Sequence, residues 1–341
     1  VGSSKNLIIN GAMQVAQRGT TSTSTNFQTV DRFRFWYTGT DEAPTQEQAD
    51  VAAGTTPYEL GFRKCFKITN GNQTSGAGTG DYIHLDYRPE AQDIANSGWN
   101  YVSASSKVTL SFWIKSSVAQ EFQAFIKTDD GSGQNYTFGT GSLSANTWTK
   151  VTKTIPGNAN LTFNNDTGEG FVLRFLAFAG TDLTGTITQD AWAAWNGSIR
   201  SADVTSTWYT TNDATLEITG VQLEVGDTAT DFEHRSFADE LQKCLRYYEH
   251  SYPYGTYAGS TSHDGCYMNA GSQVTSSNTT GRIDGARITY RVHKRSKPTA
   301  VIYDMAGTSG KLYRHSYGST GANDQDANPG NFSDTGFNLY S

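Results

Sequence analysis

Apolar and polar residues alternate with a period of two along much of the first 225 positions. In "KVTLSFWIK" (107–115), Val108, Leu110, Phe112 and Ile114 share one parity, and Thr109, Ser111, Trp113 and Lys115 the other. "EFQAFIK" (121–127) repeats the pattern with Phe122, Ala124 and Ile126, and "WTKVTKTI" (148–155) with Val151 and Ile155. Successive strand residues point to opposite faces, so each run predicts a strand with one face in a core. "FVLRFLAF" (171–178) is apolar on both parities except at Arg174, which predicts a central strand covered on both sides. In "TLEITGVQLEV" (215–225) the parity slips: Leu216 and Ile218 precede Thr219-Gly220, and Val221, Leu223 and Val225 follow. Slipping by one residue would turn every apolar side chain outward, so a β-bulge is expected at the glycine.

Turn clusters such as "NGNQTSGAGTGD", "DDGSGQN", "PGNAN" and "NNDTGEG" separate these runs, with no strong helix between them. The predicted fold class is therefore all-β: an antiparallel β-sandwich over residues 1–232, of jelly-roll type. A connecting helix is expected over 233–250 and a smaller β-rich domain over 251–341. In "SFADELQKCLRYYEH" (236–250), Ser236 and Asp239 have capping-box spacing. Phe237, Leu241, Cys244, Leu245 and Tyr248 fall on one helical stripe that requires a partner surface. "EAQDIANSGW" (90–99) predicts a short helical turn. Past the helix, "ARITYRVH" (286–293) and "TAVIYDM" (299–305) read as strands, and "GFNLYS" stops in strand-like text, which predicts that the natural chain continues.

Composition sharpens this picture. The 341 residues are 36% hydrophobic and 17% charged, with 35 glycines and 12% aromatics, so large rings must supply much of the core. The net charge of −7 disfavours broad nucleic-acid binding, and no apolar run is long enough for membrane insertion. Cys65, Cys244 and Cys266 lack metal or disulfide spacing and are expected to be buried thiols. The six histidines form no H-E-x-x-H, and neither a G-x-S-x-G elbow nor a P-loop occurs, so no catalytic residue, cofactor or metal is assigned. Asp129, Asp130, Asp166 and Glu169 sit in turns and are expected to serve those turns rather than form a glycosidase pair. "NNDTGEG" offers oxygen ligands without a known calcium-loop spacing.

Two features suit ligands. Trp192, Trp195, Trp208 and Tyr209 lie in polar, turn-rich text and are candidate glycan-stacking rings; the alternative is that they cap the sandwich or fill a subunit interface. Arg287, Arg291, Lys294 and Arg295 form a local basic patch that suits an anionic surface such as lipopolysaccharide, the alternative being pairing with acidic loops such as 323–328.

"NLIINGAMQVAQRGT" (6–20), "DRFRFW" (31–36), "VTLSFWIKSS" (108–117), "TWTKVTKTIPG" (147–157) and above all "TGVQLEVGDTATDFEHRSFADELQKCLRYY" (219–248) resemble bacteriophage tail-fibre or virion appendage proteins. Their body looks like a carbohydrate-binding-module jelly roll. The resemblance implies a non-enzymatic structural subunit of the virion, on tail or capsid. It further implies a homotrimer packed through the helix stripe, contacts with other tail or capsid proteins, and attachment to host-surface polysaccharide. A glycan depolymerase and a capsid decoration protein without a receptor role are the alternatives.

Overall fold

The computed structural model describes residues 5–266, 286–314, 323–326 and 328–340. Twelve strands build the larger of two units, Val1–Glu240. In chain order they are β1 (Thr21–Ser22), β2 (Phe33–Thr38), β3 (Thr45–Asp50), β4 (Lys64–Thr69), β5 (Tyr82–Tyr87) and β6 (Lys107–Ser116). There follow β7 (Glu121–Thr128), β8 (Gln134–Ser142), β9 (Thr149–Pro156), β10 (Phe171–Ala179), β11 (Trp192–Ala194) and β12 (Thr215–Val225). One sheet runs β1-β3-β4-β12-β6-β9 and the other β11-β8-β7-β10-β5-β2, with every pairing antiparallel. The chain switches repeatedly between the sheets, as in a jelly roll, so the all-β antiparallel sandwich expected from the alternation is the observed fold. Two short helices, α1 (Thr56–Glu59) and α2 (Ala91–Ala95), sit in the connections. Among the described residues no helix is long and apolar enough to cross a membrane.

The inward parity of each strand forms the core. Phe112 of β6 meets Phe175 of β10 edge-on across the two layers at 4.9 Å, and Phe35 of β2 faces Phe66 of β4 at 6.3 Å. Such cross-layer rings bury large apolar areas, which offsets the low aliphatic content.

The bulge lies where the parity slips. Between Thr219 and Gln222 the register of β12 against β6 shifts, and Gly220 has φ of 64°. A side chain there would collide with Phe62, whose Cζ lies 2.7 Å from the added Cβ position. The bulge keeps Leu216, Ile218, Val221 and Leu223 all in the core. It also ends pairing with β4, which covers only Thr215–Ile218. Beyond it the N-terminal stretch takes the freed backbone groups: Val221 N–H donates to Gly11 O and Leu7 N–H to Leu223 O, both at 2.9 Å.

The acidic run after β12 laces this stretch down. Glu233 accepts the Asn6 N–H at 2.7 Å, Arg235 bridges Glu233 (2.9 Å) and Glu240 (3.4 Å), and Glu240 also accepts the Asn10 N–H. The helix α3 follows, capped by Ser236, whose Oγ accepts the Asp239 N–H at 3.2 Å and donates to its carboxylate at 2.6 Å. It spans Phe237–Leu245, shorter than the predicted 236–250, and the division between the two units falls inside it. Of the expected stripe, Cys244 and Leu245 are buried and Leu241 is half-buried, whereas Phe237 is 40% exposed and Tyr248 lies past the helix end. The stripe is thus one turn narrower at each end than periodicity suggests. Cys65 is buried as well, but Cys266 is exposed, against expectation; none of the three is in a disulfide.

The second unit, Leu241–Ser341, holds β13 (Ala286–Thr289), β14 (Lys311–Arg314), β15 (Asn323–Asp326), β16 (Asn328–Gly330) and β17 (Gly336–Tyr340). They form a three-stranded sheet β13-β17-β16 and a separate β14-β15 pair. The predicted strand 286–293 stops at Thr289 because its partner β17 begins opposite, at Gly336. The predicted strand 299–305 is irregular, with a lone bridge from Tyr303 to Ser309.

Candidate functional site

The site is built on the solvent side of the second sheet. Phe33, Phe35 and Tyr37 face the core from β2, so Arg34 and Trp36 face out. In β5 the inward Ile83, Leu85 and Tyr87 leave Tyr82, His84 and Asp86 outside. Antiparallel register lines these up: Arg34, Asp86, Arg174 and Phe125 stand in one row across β2, β5, β10 and β7. Trp36, His84, Leu176 and Gln123 form the next row.

The connection from β10 to β12 folds over one half of this face. Leu183, Trp195 and Val204, together with Tyr82 of β5, pack on Phe125, Leu176 and Ala179, and the Trp195 N–H donates to Gly133 O at 2.9 Å. This covering explains why β10 is apolar on both sides. The other half, over β2 and β5, carries half-buried Trp36 beside three guanidiniums, with Tyr82 at its border with the covered half.

Asp86, with no exposed side-chain surface, is the hub of those charges. Arg174 donates to it through Nε at 2.6 Å and Nη2 at 2.9 Å, a two-pronged pair, and Arg88 donates at 3.1 Å. Arg34 Nε stands 3.7 Å away and His84 Nε2 3.5 Å away. Arg88 continues to Glu169 at 2.6 Å. The Arg34 guanidinium lies over the Trp36 ring at 4.9 Å and that of Arg174 over Phe125 at 5.5 Å. Tyr82 stacks on His84 at 5.3 Å.

Burial opposes charge on both titrating groups of the hub. It drives the His84 imidazole down to about 4, although Asp86 pulls the other way, so His84 is neutral near pH 7. Burial works against the Asp86 carboxylate as well, yet His84 and Arg174 beside it outweigh that cost and hold it well below the usual range. A pH dependence follows. Because the folded-state value for His84 lies below that of a free imidazole, the unfolded chain binds the proton more readily between about pH 6.5 and 4. This contribution is complete above about pH 6.5 and is lost as the pH falls toward 4. Urea unfolding at pH 7 and 4.5 is expected to differ by about 2–3 kcal/mol less in His84→Gln than in the parent chain.

Trp208 and Tyr209, candidates for stacking on sugar, are fully buried. The Trp208 indole N–H donates to Thr215 O at 3.0 Å, and Tyr209 stacks on Phe178 at 4.2 Å. They are core residues and present no face to a ligand. Trp192, half-buried at the sheet edge, donates its indole N–H to Pro156 O at 2.7 Å and packs against Tyr136. Trp195 alone of the four lies on the outer face, beneath the Lys127 ammonium at 5.6 Å. Trp36, Tyr82 and the arginines around Asp86 escaped the sequence reading. Their signal was the alternation in "FRFWYT" and "YIHLDY", which puts rings and charges on the parity opposite the core residues.

The basic patch in the second unit is also corrected. Lys294 is buried and its Nζ donates to Glu249 at 2.6 Å and to the Leu245 carbonyl, so it serves as an internal counter-ion. Arg295 is half-buried, its N–H bonded to Arg246 O at 3.2 Å. Arg287 and Arg291 are exposed, and Arg282 lies outside the described residues. The acidic loop pairs elsewhere, Asp326 with Lys311 at 2.8 Å.

Of the turn carboxylates, Asp166 closes its own turn, Asp130 ties its loop to the one at Asn164, and Glu169 instead pairs with Arg88. Asp130 accepts from the Asn164 N–H and side-chain amide, both at 2.8 Å, Asp166 accepts from the Gly168 N–H at 2.9 Å, and Asp129 pairs with Lys127. A cleft of about 450 Å³ on the outer face of the first sheet is lined by Phe62, Trp113, Phe232 and His234. Phe62, Phe232 and His234 pack against one another at 4.9–5.1 Å, and Phe62 and Trp113 close over the bulge at Gly220.

No protein-family profile matches the chain, and no curated protein matches it by sequence. Among solved structures, the enzymatically active domain of tailspike protein 4 from bacteriophage CBA120 aligns at 13% identity over 65% of this chain, with a TM-score of 0.36. The alignment spans only 22% of that tailspike chain. The N-terminal cellulose-binding domain of Cellulomonas fimi β-1,4-glucanase C aligns at 10% identity over 63% of this chain and 100% of its own, with a TM-score of 0.32. A family 11 carbohydrate-binding module from Clostridium thermocellum aligns at 12% identity over 63% of this chain and 98% of its own, with a TM-score of 0.27. At these identities and scores the likeness says nothing of ligand or activity.

Proposed function

We propose that the chain is a virion appendage subunit, on tail or capsid, whose sandwich holds a host-surface glycan without cleaving it. The observation that carries this reading is the open half of the second sheet, where Trp36 lies against Arg34 beside the Arg88 and Arg174 that share Asp86, with Tyr82 and His84 stacked next to it. A sugar ring has apolar C–H faces and a rim of hydroxyls, so it suits an aromatic surface edged by fixed polar groups. The resemblance of residues 6–248 to phage appendage proteins supports the virion setting. In this reading subunits associate as a homotrimer and join other tail or capsid proteins, and a monomeric mass in native mass spectrometry counts against the trimer.

Retention on immobilised host polysaccharide tests the site. Trp36→Ala is expected to weaken retention at least tenfold while the melting temperature stays within about 2 °C, since base- or sugar-type stacking on one ring is worth about 1–3 kcal/mol and a half-buried ring contributes modestly to folding. Unchanged retention in Trp36→Ala moves binding away from this face, and a parent chain that retains nothing removes the receptor role. Release of reducing ends from the polysaccharide would favour a depolymerase.

A further inference from the structure

Resting on the glycan reading above, we propose that the open half of the second sheet is selective for acidic sugars, with Arg34 receiving the carboxylate of a uronic acid whose ring lies alongside Trp36. Among the described residues Arg34 is the guanidinium of this cluster that makes no hydrogen bond. Arg174 is committed to Asp86 by two bonds, and Arg88 is divided between Asp86 and Glu169. Arg34 approaches Asp86 only to 3.7 Å, and its Nε is buried without an acceptor. Its side chain as a whole is 24% exposed, the largest share among the three arginines around Asp86.

Charge points the same way. Three guanidiniums face two carboxylates, and His84 between them is neutral, which leaves one positive charge on an open face of a chain whose net charge is −7. Closer pairing with Asp86 does not absorb that charge, because its carboxylate is already taken by Arg174 and Arg88. A planar guanidinium matches a planar carboxylate with two parallel N–H···O bonds, as Arg174 and Asp86 already do in the next strands. Trp36 beneath Arg34 holds the fork in place, which lowers the ordering cost of binding. The buried His84 Nε2, also without a hydrogen-bond partner, adds a polar atom under the same spot.

The test measures affinity for oligomers of polygalacturonate, alginate and hyaluronan, each against its carboxyl-reduced counterpart. The parent chain is expected to favour at least one acidic oligomer over its reduced form by tenfold or more, and the preference should shrink with added salt. Arg34→Gln is expected to cut that ratio by about tenfold, the loss of a charge-assisted pair. Arg34→Lys, which keeps the charge but lacks the fork, is expected to fall between them. Equal affinity for acidic and reduced forms in the parent chain overturns acid selectivity while leaving glycan attachment intact. An unaltered ratio in Arg34→Gln, in protein whose melting is unchanged, overturns the role of Arg34. No binding to any oligomer, acidic or reduced, overturns the glycan reading and this inference with it.

Discussion

Replacing Asp86 by alanine is expected to lower folding stability by about 3–5 kcal/mol, the usual cost of removing one partner from a buried charge cluster. Asp86 has no exposed side-chain surface, and its two oxygens accept from Arg174 and Arg88 while Arg34 and His84 stand within 3.7 Å. Without the carboxylate, the guanidiniums of Arg34 on β2, Arg174 on β10 and Arg88 just past β5 would repel one another. Arg174 and Arg88, with side chains only 13% and 19% exposed, have little room to turn away from that repulsion. Asp86→Asn keeps the volume and one acceptor oxygen, so it separates lost packing from lost charge. Urea unfolding at pH 7 is the measurement. A loss below about 1 kcal/mol in both variants, the scale of an exposed ion pair, would mean that water already solvates this cluster.

Trp208→Ala is expected to cost about 3–5 kcal/mol, the range for deleting a buried indole. The ring has no exposed surface and lies edge-on to Phe122 with centroids 6.5 Å apart. Its truncation also removes one of the two donors to the Thr215 carbonyl, leaving the Ser117 N–H at 3.0 Å, and loosens the loop whose Trp208 N–H donates to Gln120 Oε1 at 2.8 Å. Thermal melting should fall by roughly 2–4 °C for each kcal/mol in a domain of this size. Trp195→Ala removes a half-buried ring that packs on Phe125 from the covering loop, and about 1–2 kcal/mol is expected there. If Trp208→Ala melts like the parent chain and instead loses glycan retention, the buried placement of this ring is wrong.

The two tryptophans mark how far the chain's own pattern could be followed. Both stand in polar, turn-rich text, and nothing within ten residues distinguishes them. Burial of Trp208 depends on Phe122, Gln120 and Thr215 arriving from other strands. The hub at Asp86 is of the same kind. Alternation already says that Arg34 and Asp86 leave the core, but their meeting with Arg174 is a matter of register between β2, β5 and β10, whose residues lie up to 140 positions apart. Arg174, the one polar residue in an otherwise apolar strand, announced an unusual environment without naming its partners.

The strands β6, β7, β9, β10 and β12 with their inward faces, the bulge at Gly220 and the Ser236 cap were legible locally. Each follows from the two-residue repeat of a strand or from contacts within a few positions. The end of α3 at Leu245, the end of β13 at Thr289 and the burial of Lys294 against Glu249 were not. An element stops where its partner stops, and a charge is hidden or displayed according to what the folded chain lays over it; neither fact is written in the neighbouring residues.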